Sequence, residues 1–88
     1  MNIADEDYFL INNLSDISHK VKASKLKTLI DKGAYGNYRL LVNYDDDRSF
    51  FVFLKNLKNK LRPKNLMIIE RDGATFSVTG AQVLDYLV

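Results

Sequence analysis

Few side chains of this 88-residue chain are suited to acid–base, nucleophilic or metal chemistry. His19 is the only histidine, and cysteine does not occur, which excludes thiolate catalysis, disulfides and the usual structural zinc sites. The sequence contains no nucleophile elbow and no glycine-rich phosphate-binding motif. These observations favour a protein that acts by binding, without a cofactor, and not an enzyme.

A metal site built from acidic residues is the one alternative to a protein that acts only by binding. The run Asp45–Asp47 follows one predicted strand, and Glu70 and Asp72 end another. If these strand ends met, their carboxylates could hold Mg²⁺, as nucleases require. Aspartates also end strands and fill turns, and Asp72 with Gly73 is a typical turn pair. We favour this second interpretation and expect no metal.

Positive charge is concentrated in two blocks. The first basic block, from His19 to Gly33, contains five lysines and one aspartate; the second basic block, from Arg48 to Lys64, contains six cations and no acid. The blocks carry +4 and +6, so the remainder carries −8, although the whole chain is only +2. A surface made only for solubility would interleave the two signs. The segregation indicates an anionic partner.

Nucleic acid is the partner that we expect. Each Lys or Arg that neutralises a phosphate releases counterions and adds affinity regardless of base sequence. An interleaved Asn can add hydrogen bonds to phosphates or base edges. The alternative is that each block is the solvated face of an amphipathic helix. The expected nucleic-acid surface consists of Lys25, Lys27, Lys55, Lys58, Asn59, Lys60, Arg62 and Lys64.

Length and composition predict one folded domain over residues 1–88, because 47% of the residues are hydrophobic and only one is proline. No repeat, low-complexity segment or linker is recognisable. The longest apolar runs, Phe50–Leu54 and Leu66–Ile69, are far shorter than the roughly 20 residues that span a bilayer. The N-terminus is acidic, unlike a secretion signal. We expect a cytoplasmic protein that does not bind membranes.

The first half of the chain is predicted to form two helices and a strand. Apolar residues recur at helical spacing over Tyr8–Ile17, which predicts a helix beginning near Ala4 with a break near Ser15. Ser24 can cap a second helix, which ends before Gly33. β-forming residues then predict a mostly buried strand over 38–44.

The second half is predicted to form a helix, a hairpin and a closing helix. Apolar spacing predicts the helix over residues 50–61. Asp72-Gly73 predicts a hairpin between 65–70 and 74–78, and Thr79 with Gln82 forms a capping box. The expected fold is therefore α+β, with the order ααβαββα. A small, mainly antiparallel three-stranded sheet would pack against three to four helices.

The last 39 residues resemble the end of many winged-helix DNA-binding domains. The segments that carry the resemblance are Phe50–Lys64, Leu66–Gly73, Phe76–Gly80 and Val83–Leu87. In that family a basic recognition helix precedes a strand, a charged turn called the wing, a second strand and a closing helix. The resemblance implies DNA as the partner, with Lys55, Lys58, Asn59 and Arg62 on the recognition helix and Arg71 in the wing. The family has two helices between its first strand and the hairpin, whereas only one fits here.

A protein-binding module is the competing interpretation, of the kind that phages and plasmids use to inhibit or redirect a host complex. A three-stranded sheet leaves open edges, so the strand over 38–44 could pair with a host protein or with a second copy in a homodimer. Tyr35, Tyr38 and Tyr44 would be its interface anchors, or would pack in the core. The acidic runs 5–7 and 45–47 could instead mimic phosphates.

Overall fold

A computed structural model describes residues 2–13, 15, 18–43 and 48–88. Within them the chain forms six strands and three short helices. In chain order these are β1 (Tyr8–Asn12), β2 (Ser18–Lys22), α1 (Ala23–Asp31), β3 (Arg39–Asn43), β4 (Ser49–Phe53), a 3-10 turn (Leu54–Asn56) leading into α2 (Leu57–Lys60), β5 (Leu66–Arg71), β6 (Ala74–Thr79) and α3 (Gly80–Leu87). The strands form one six-stranded sheet with antiparallel pairings. The expected three-stranded sheet and the order ααβαββα are therefore wrong.

The described residues are organised as three ββα units: β1-β2-α1, β3-β4-α2 and β5-β6-α3. The first strand of each unit pairs with its own hairpin partner on one side and with the other two first strands on the other side. In β1, Tyr8 and Phe9 pair with β5, whereas Ile11 and Asn12 pair with β3. Asn43 at the end of β3 pairs with the start of β5. The pairing is therefore cyclic, and the three hairpins surround a common centre.

A shared pattern of buried residues runs through the three units. It begins at half-buried Val21 and at buried Val52 and Val78, near the end of each hairpin, and continues into the segment that follows. The positions of these following segments that are buried in all three units are Ala23, Leu26 and Ile30; Leu54, Leu57 and Leu61; and Gly80, Val83 and Leu87. The core lies between these helical residues and the inner face of the sheet. The expectation that the sequence contains no repeat is wrong, because the three segments share this spacing.

Two segments that were expected to be helical are strands. In β1, Phe9 is buried and Leu10 is exposed, so the side chains alternate. In β4, Val52 is buried and Phe51 is exposed, and helical packing begins only at Leu54. Over such short stretches the same apolar residues fit either period. The pairing of β1 with distant β5 and of β4 with its hairpin partner β3 decides in favour of strands.

Several local predictions are confirmed. Asp72 and Gly73 have φ values of 52° and 81° and form the turn between β5 and β6. Thr79 Oγ1 accepts a hydrogen bond from the Gln82 N–H, and Gln82 Oε1 accepts one from the Thr79 N–H, which completes the capping box. Gly33 follows α1 with φ 69°.

In the part of the chain that the structure describes, no helix is long and apolar enough to cross a membrane.

Candidate nucleic-acid interface

The predicted site residues of the second basic block lie in the second unit, over the 3-10 turn, α2 and the turn that follows. We call these residues the α2 basic surface: Lys55, Lys58, Asn59, Lys60, Arg62 and Lys64, all of which are exposed. Among the described residues, none of its five cations forms an ion pair with an acid. The Lys55 ammonium lies 5.6 Å from the centroid of the Phe53 ring. These charges therefore remain available to an external anion.

Buried Asn65 holds the turn that carries the end of this surface. Its Oδ1 accepts a hydrogen bond of 2.8 Å from the Arg62 N–H, and its own N–H donates to the Arg62 carbonyl at 3.1 Å. Its carbonyl accepts a 2.7 Å hydrogen bond from the Gly80 N–H at the start of α3. Asn65 is only 3% exposed, and its Oδ1, its N–H and its carbonyl are each hydrogen-bonded within the protein. It positions the backbone from which Arg62 and Lys64 extend.

Gly80 allows this turn to approach α3 closely. A Cβ atom at position 80 would collide with the carbonyl oxygen of Arg62. The next residue, Ala81, donates its N–H to the Pro63 carbonyl at 3.3 Å. The basic turn is therefore held against the first turn of α3 by backbone hydrogen bonds that a side chain at position 80 would disturb.

A surface cleft brings part of the α2 basic surface together with an aromatic ring. Its lining residues are Phe50, Asn59, Lys60 and Arg62. Phe50 is half-buried against the core. Cations bind phosphates, an amide can bind a base edge, and an aromatic face can stack on an unpaired base. The cleft therefore combines the three kinds of group that nucleic-acid-binding proteins use.

In the described part of the chain, two of the five lysines in the first basic block form ion pairs, unlike the cations of the α2 basic surface. Lys20 forms an ion pair with Glu70 at 2.7 Å, and Lys22 forms one with Glu6 at 3.0 Å. The hydrogen bond from Lys22 to Glu6 raises the pKa of this lysine. Of the two predicted site residues in this block, Lys25 is exposed on α1, in a different unit from the α2 basic surface.

The other predicted residue of this block, Lys27, lies beside α3. Its ammonium is 5.6 Å from the centroid of the Tyr86 ring. The Tyr86 hydroxyl donates a 2.7 Å hydrogen bond to Asp5 Oδ1. Burial, followed by this hydrogen bond and the charge of Asp5, raises the pKa of Tyr86 above its ordinary value. Lys27 therefore lies near a tyrosine that is itself bonded to an acid.

Arg71 forms an ion pair with buried Asp7. Its Nε donates to Oδ1 and its Nη2 to Oδ2, each at 2.6 Å, and Nη2 also donates to the Asn2 carbonyl at 3.0 Å. Asp7, which is 1% exposed, also accepts a hydrogen bond from the Ala4 N–H. The hydrogen bonds from Arg71 hold the pKa of Asp7 below its ordinary value, although burial opposes this shift. Arg71, the last residue of β5, thus binds the N-terminal segment to that strand.

The predicted tyrosine and acidic sites are only partly described. Tyr35 and Tyr38 are half-buried against the core, and the Tyr38 ring lies edge-on to His19 at 6.4 Å. Tyr44 and Asp45–Asp47 lie outside the described residues. Within the described ranges, no three His, Cys, Asp or Glu residues are grouped so that they could hold a metal ion.

Sequence reasoning missed the outer face of the sheet, which is the face turned away from the helices. Its exposed apolar side chains are Leu10, Leu41, Phe51, Leu66 and Ile68, which are 39% to 51% exposed. The feature that reveals this face is the alternation of buried and exposed residues along β1, β3 and β5. Assigning the segments of β1 and β4 to helices concealed it.

Comparison with known proteins adds no relative to these observations. No protein-family model matches the chain, and searches of curated proteins and of solved structures find no match.

Proposed function

We propose that this protein binds nucleic acid, with DNA as the favoured form, through the α2 basic surface. The observation that carries the proposal is the concentration of cations without an acidic partner in one short exposed segment. Five exposed cations in residues 55–64 have no acidic partner among the described residues. Lys20, Lys22 and Arg71, by contrast, are each paired with an acid of the same chain.

Unpaired cations that are close in sequence repel one another, and a polyanion removes this repulsion while its counterions are released. Five phosphate contacts would give a slope of about −4.5 in a plot of log affinity against log salt concentration. That slope corresponds to a loss of about 500-fold between roughly 50 and 200 mM salt. Binding by this surface is therefore expected to depend steeply on salt.

The winged-helix resemblance names duplex DNA as the first form to test. The recognition helix that it assigns to Lys55, Lys58, Asn59 and Arg62 is not formed as one element, since Lys55 lies in the 3-10 turn and Arg62 lies beyond the end of α2. The cleft that contains Phe50 supports a single strand as the second form to test, since a half-buried ring can stack on an unpaired base. RNA forms the third arm of the test. The form bound most tightly identifies the ligand class.

Fluorescence anisotropy with labelled duplex DNA, single-stranded DNA and RNA at about 50 and 200 mM salt tests the proposal. The double variant Lys58→Glu/Arg62→Glu should bind more weakly and lower the salt slope by about 2. The matched control, Lys22→Glu/Lys32→Glu, makes the same change in net charge outside the α2 basic surface. It should preserve the slope.

Equal losses in the two double variants would contradict the proposal, because they would show that only net charge matters. Failure of the wild-type protein to bind any of the three nucleic acids at the lower salt concentration would also contradict it. That second result would favour the alternative partner, a host protein complex. β3 is paired with other strands on both sides. Within the described chain, it therefore has no open edge on which such a host protein could add a strand.

A further inference from the structure

We infer that the outer face of the sheet is the interface of a homodimer, in which two copies pack face to face. At its centre, Leu10, Leu41 and Ile68 occupy equivalent positions in the three first strands. Each is close to half exposed. A monomeric protein of this size would leave a contiguous apolar cluster in water, whereas a partner sheet would cover it. This inference does not depend on the proposed nucleic-acid binding.

Residues next to this cluster enlarge the apolar surface and hold its side chains in place. Phe51 lies opposite Leu41 in the β3–β4 pairing. The guanidinium carbon of Arg39 lies 4.0 Å from the centroid of the Phe51 ring, which fixes both side chains at the surface. Asn12, Ser18 and Asn43 line the same shallow cleft as the apolar residues. An apolar centre with polar groups at its rim is the usual composition of a protein–protein interface.

Charge on this face favours a second copy over a strongly charged partner. Lys20, which lies opposite Leu10, is neutralised by Glu70 at 2.7 Å. A twofold interface brings one patch against itself, so a patch of uniform charge would repel its copy. Here the positive and negative groups pair within one chain. The formal net charge of the chain is only +2, so the repulsion between two copies is also weak.

The available area is sufficient for a weak dimer. The molecule measures 28 × 26 × 25 Å, so one face projects on the order of 500 Å². Two copies would bury about 1,000 Å² or somewhat more, which is the lower limit for a specific interface. The helix layer, with α2, lies on the other side of the sheet. Both α2 basic surfaces would therefore stay exposed in the dimer.

Sedimentation equilibrium without nucleic acid, from about 1 to 200 µM protein, tests the inference in the range expected for a small interface. The wild-type mass should approach twice the 10.1 kDa of one chain as concentration rises. Leu41→Asp and Ile68→Asp should each weaken the dimer by at least about 100-fold, because each change occurs twice in the interface. The matched control is Val88→Asp, because Val88 is 93% exposed away from this face and should not affect the mass.

Circular dichroism melts establish that the variants are folded, and Leu41→Ser provides a milder change if Leu41→Asp is not. A monomer at every concentration would overturn the inference. So would a mass above two chains, or a dimer that both outer-face variants leave intact. Lys58→Glu/Arg62→Glu should dimerise like the wild-type protein, so loss of nucleic-acid binding and loss of the dimer are separable results.

Discussion

Replacing Gly80 by Ala should destabilise the protein, although the sequence alone suggests that it would be stabilising. Position 80 is the first residue of α3, and alanine is better than glycine in a helix by about 1 kcal/mol. The equivalent positions in the other two units are Ala23 and Leu54, both buried. Helix propensity and the repeat pattern therefore both favour a larger residue here. In the structure, however, a Cβ at position 80 would collide with the carbonyl oxygen of Arg62.

Backbone atoms surround the site, so the collision cannot be relieved by rotating a side chain. Moving α3 away from the turn would stretch the 2.7 Å hydrogen bond from the Gly80 N–H to the Asn65 carbonyl and the 3.3 Å one from Ala81 to Pro63. Overpacking costs about 1 to 3 kcal/mol, and each weakened hydrogen bond about 1 kcal/mol. After the gain in helix propensity is subtracted, Gly80→Ala should lower the free energy of unfolding by about 2 to 4 kcal/mol.

Thermal unfolding followed by circular dichroism measures this effect. A loss of about 2 to 4 kcal/mol corresponds to a fall in Tm of at least about 8 °C for a domain of this size. Ala81→Gly, one residue along the same helix, is the control and should lower stability by no more than about 1 kcal/mol. A Tm for Gly80→Ala equal to or above that of the wild-type protein would refute the close-packing argument.

Two further predictions concern buried hydrogen bonds. The pKa of Asp7 is lowered in the folded protein. The ionised carboxylate therefore contributes fully to the free energy of unfolding above the unfolded-state pKa of about 3.9, and this contribution is lost as pH falls through the folded-state pKa. Urea unfolding should therefore show that Asp7→Asn is less stable than the wild-type protein by about 2 kcal/mol at neutral pH. This difference in stability should shrink below about pH 4. A difference that stays constant with pH would argue against an ionised pair of Asp7 and Arg71. Thr79→Ala removes the acceptor for the Gln82 N–H and should cost about 1 kcal/mol in the same assay, whereas Thr75→Ala on exposed β6 should cost less. Equal effects of the two threonine changes would contradict the capping role.

The prediction of secondary structure succeeded where the deciding interactions are local. The turn at Asp72-Gly73 requires positive φ values that these residues adopt easily. The capping box joins residues three apart. α1, whose buried residues Leu26 and Ile30 are four apart, also follows from its own sequence. Such features depend on a few neighbouring residues, so one sequence is enough to predict them.

The candidate site was predictable in its residues but not in its surroundings. The clustering of cations in residues 55–64 is a property of the sequence. That Lys20 is neutralised by Glu70, 50 positions away, is not. Likewise, the hydrogen bonds between Arg71 and Asp7 join residues 64 positions apart. Which charges are compensated therefore follows from strand pairing, which brings distant residues together.

By itself, the sequence determined the β5–β6 hairpin, α1, the capped α3 and the separation of charge along the chain, because short-range sterics and composition control these features. The tertiary structure alone decided that residues 8–12 and 49–53 are strands, since their apolar residues suit either period and only the assembled sheet provides the pairings of β1 with β5 and of β4 with β3. It also decided that Gly80 must be small, and that the apolar side chains of three separate strands share one exposed face. These outcomes depend on the cyclic pairing of β1, β3 and β5, whose hydrogen bonds form only when the whole sheet assembles.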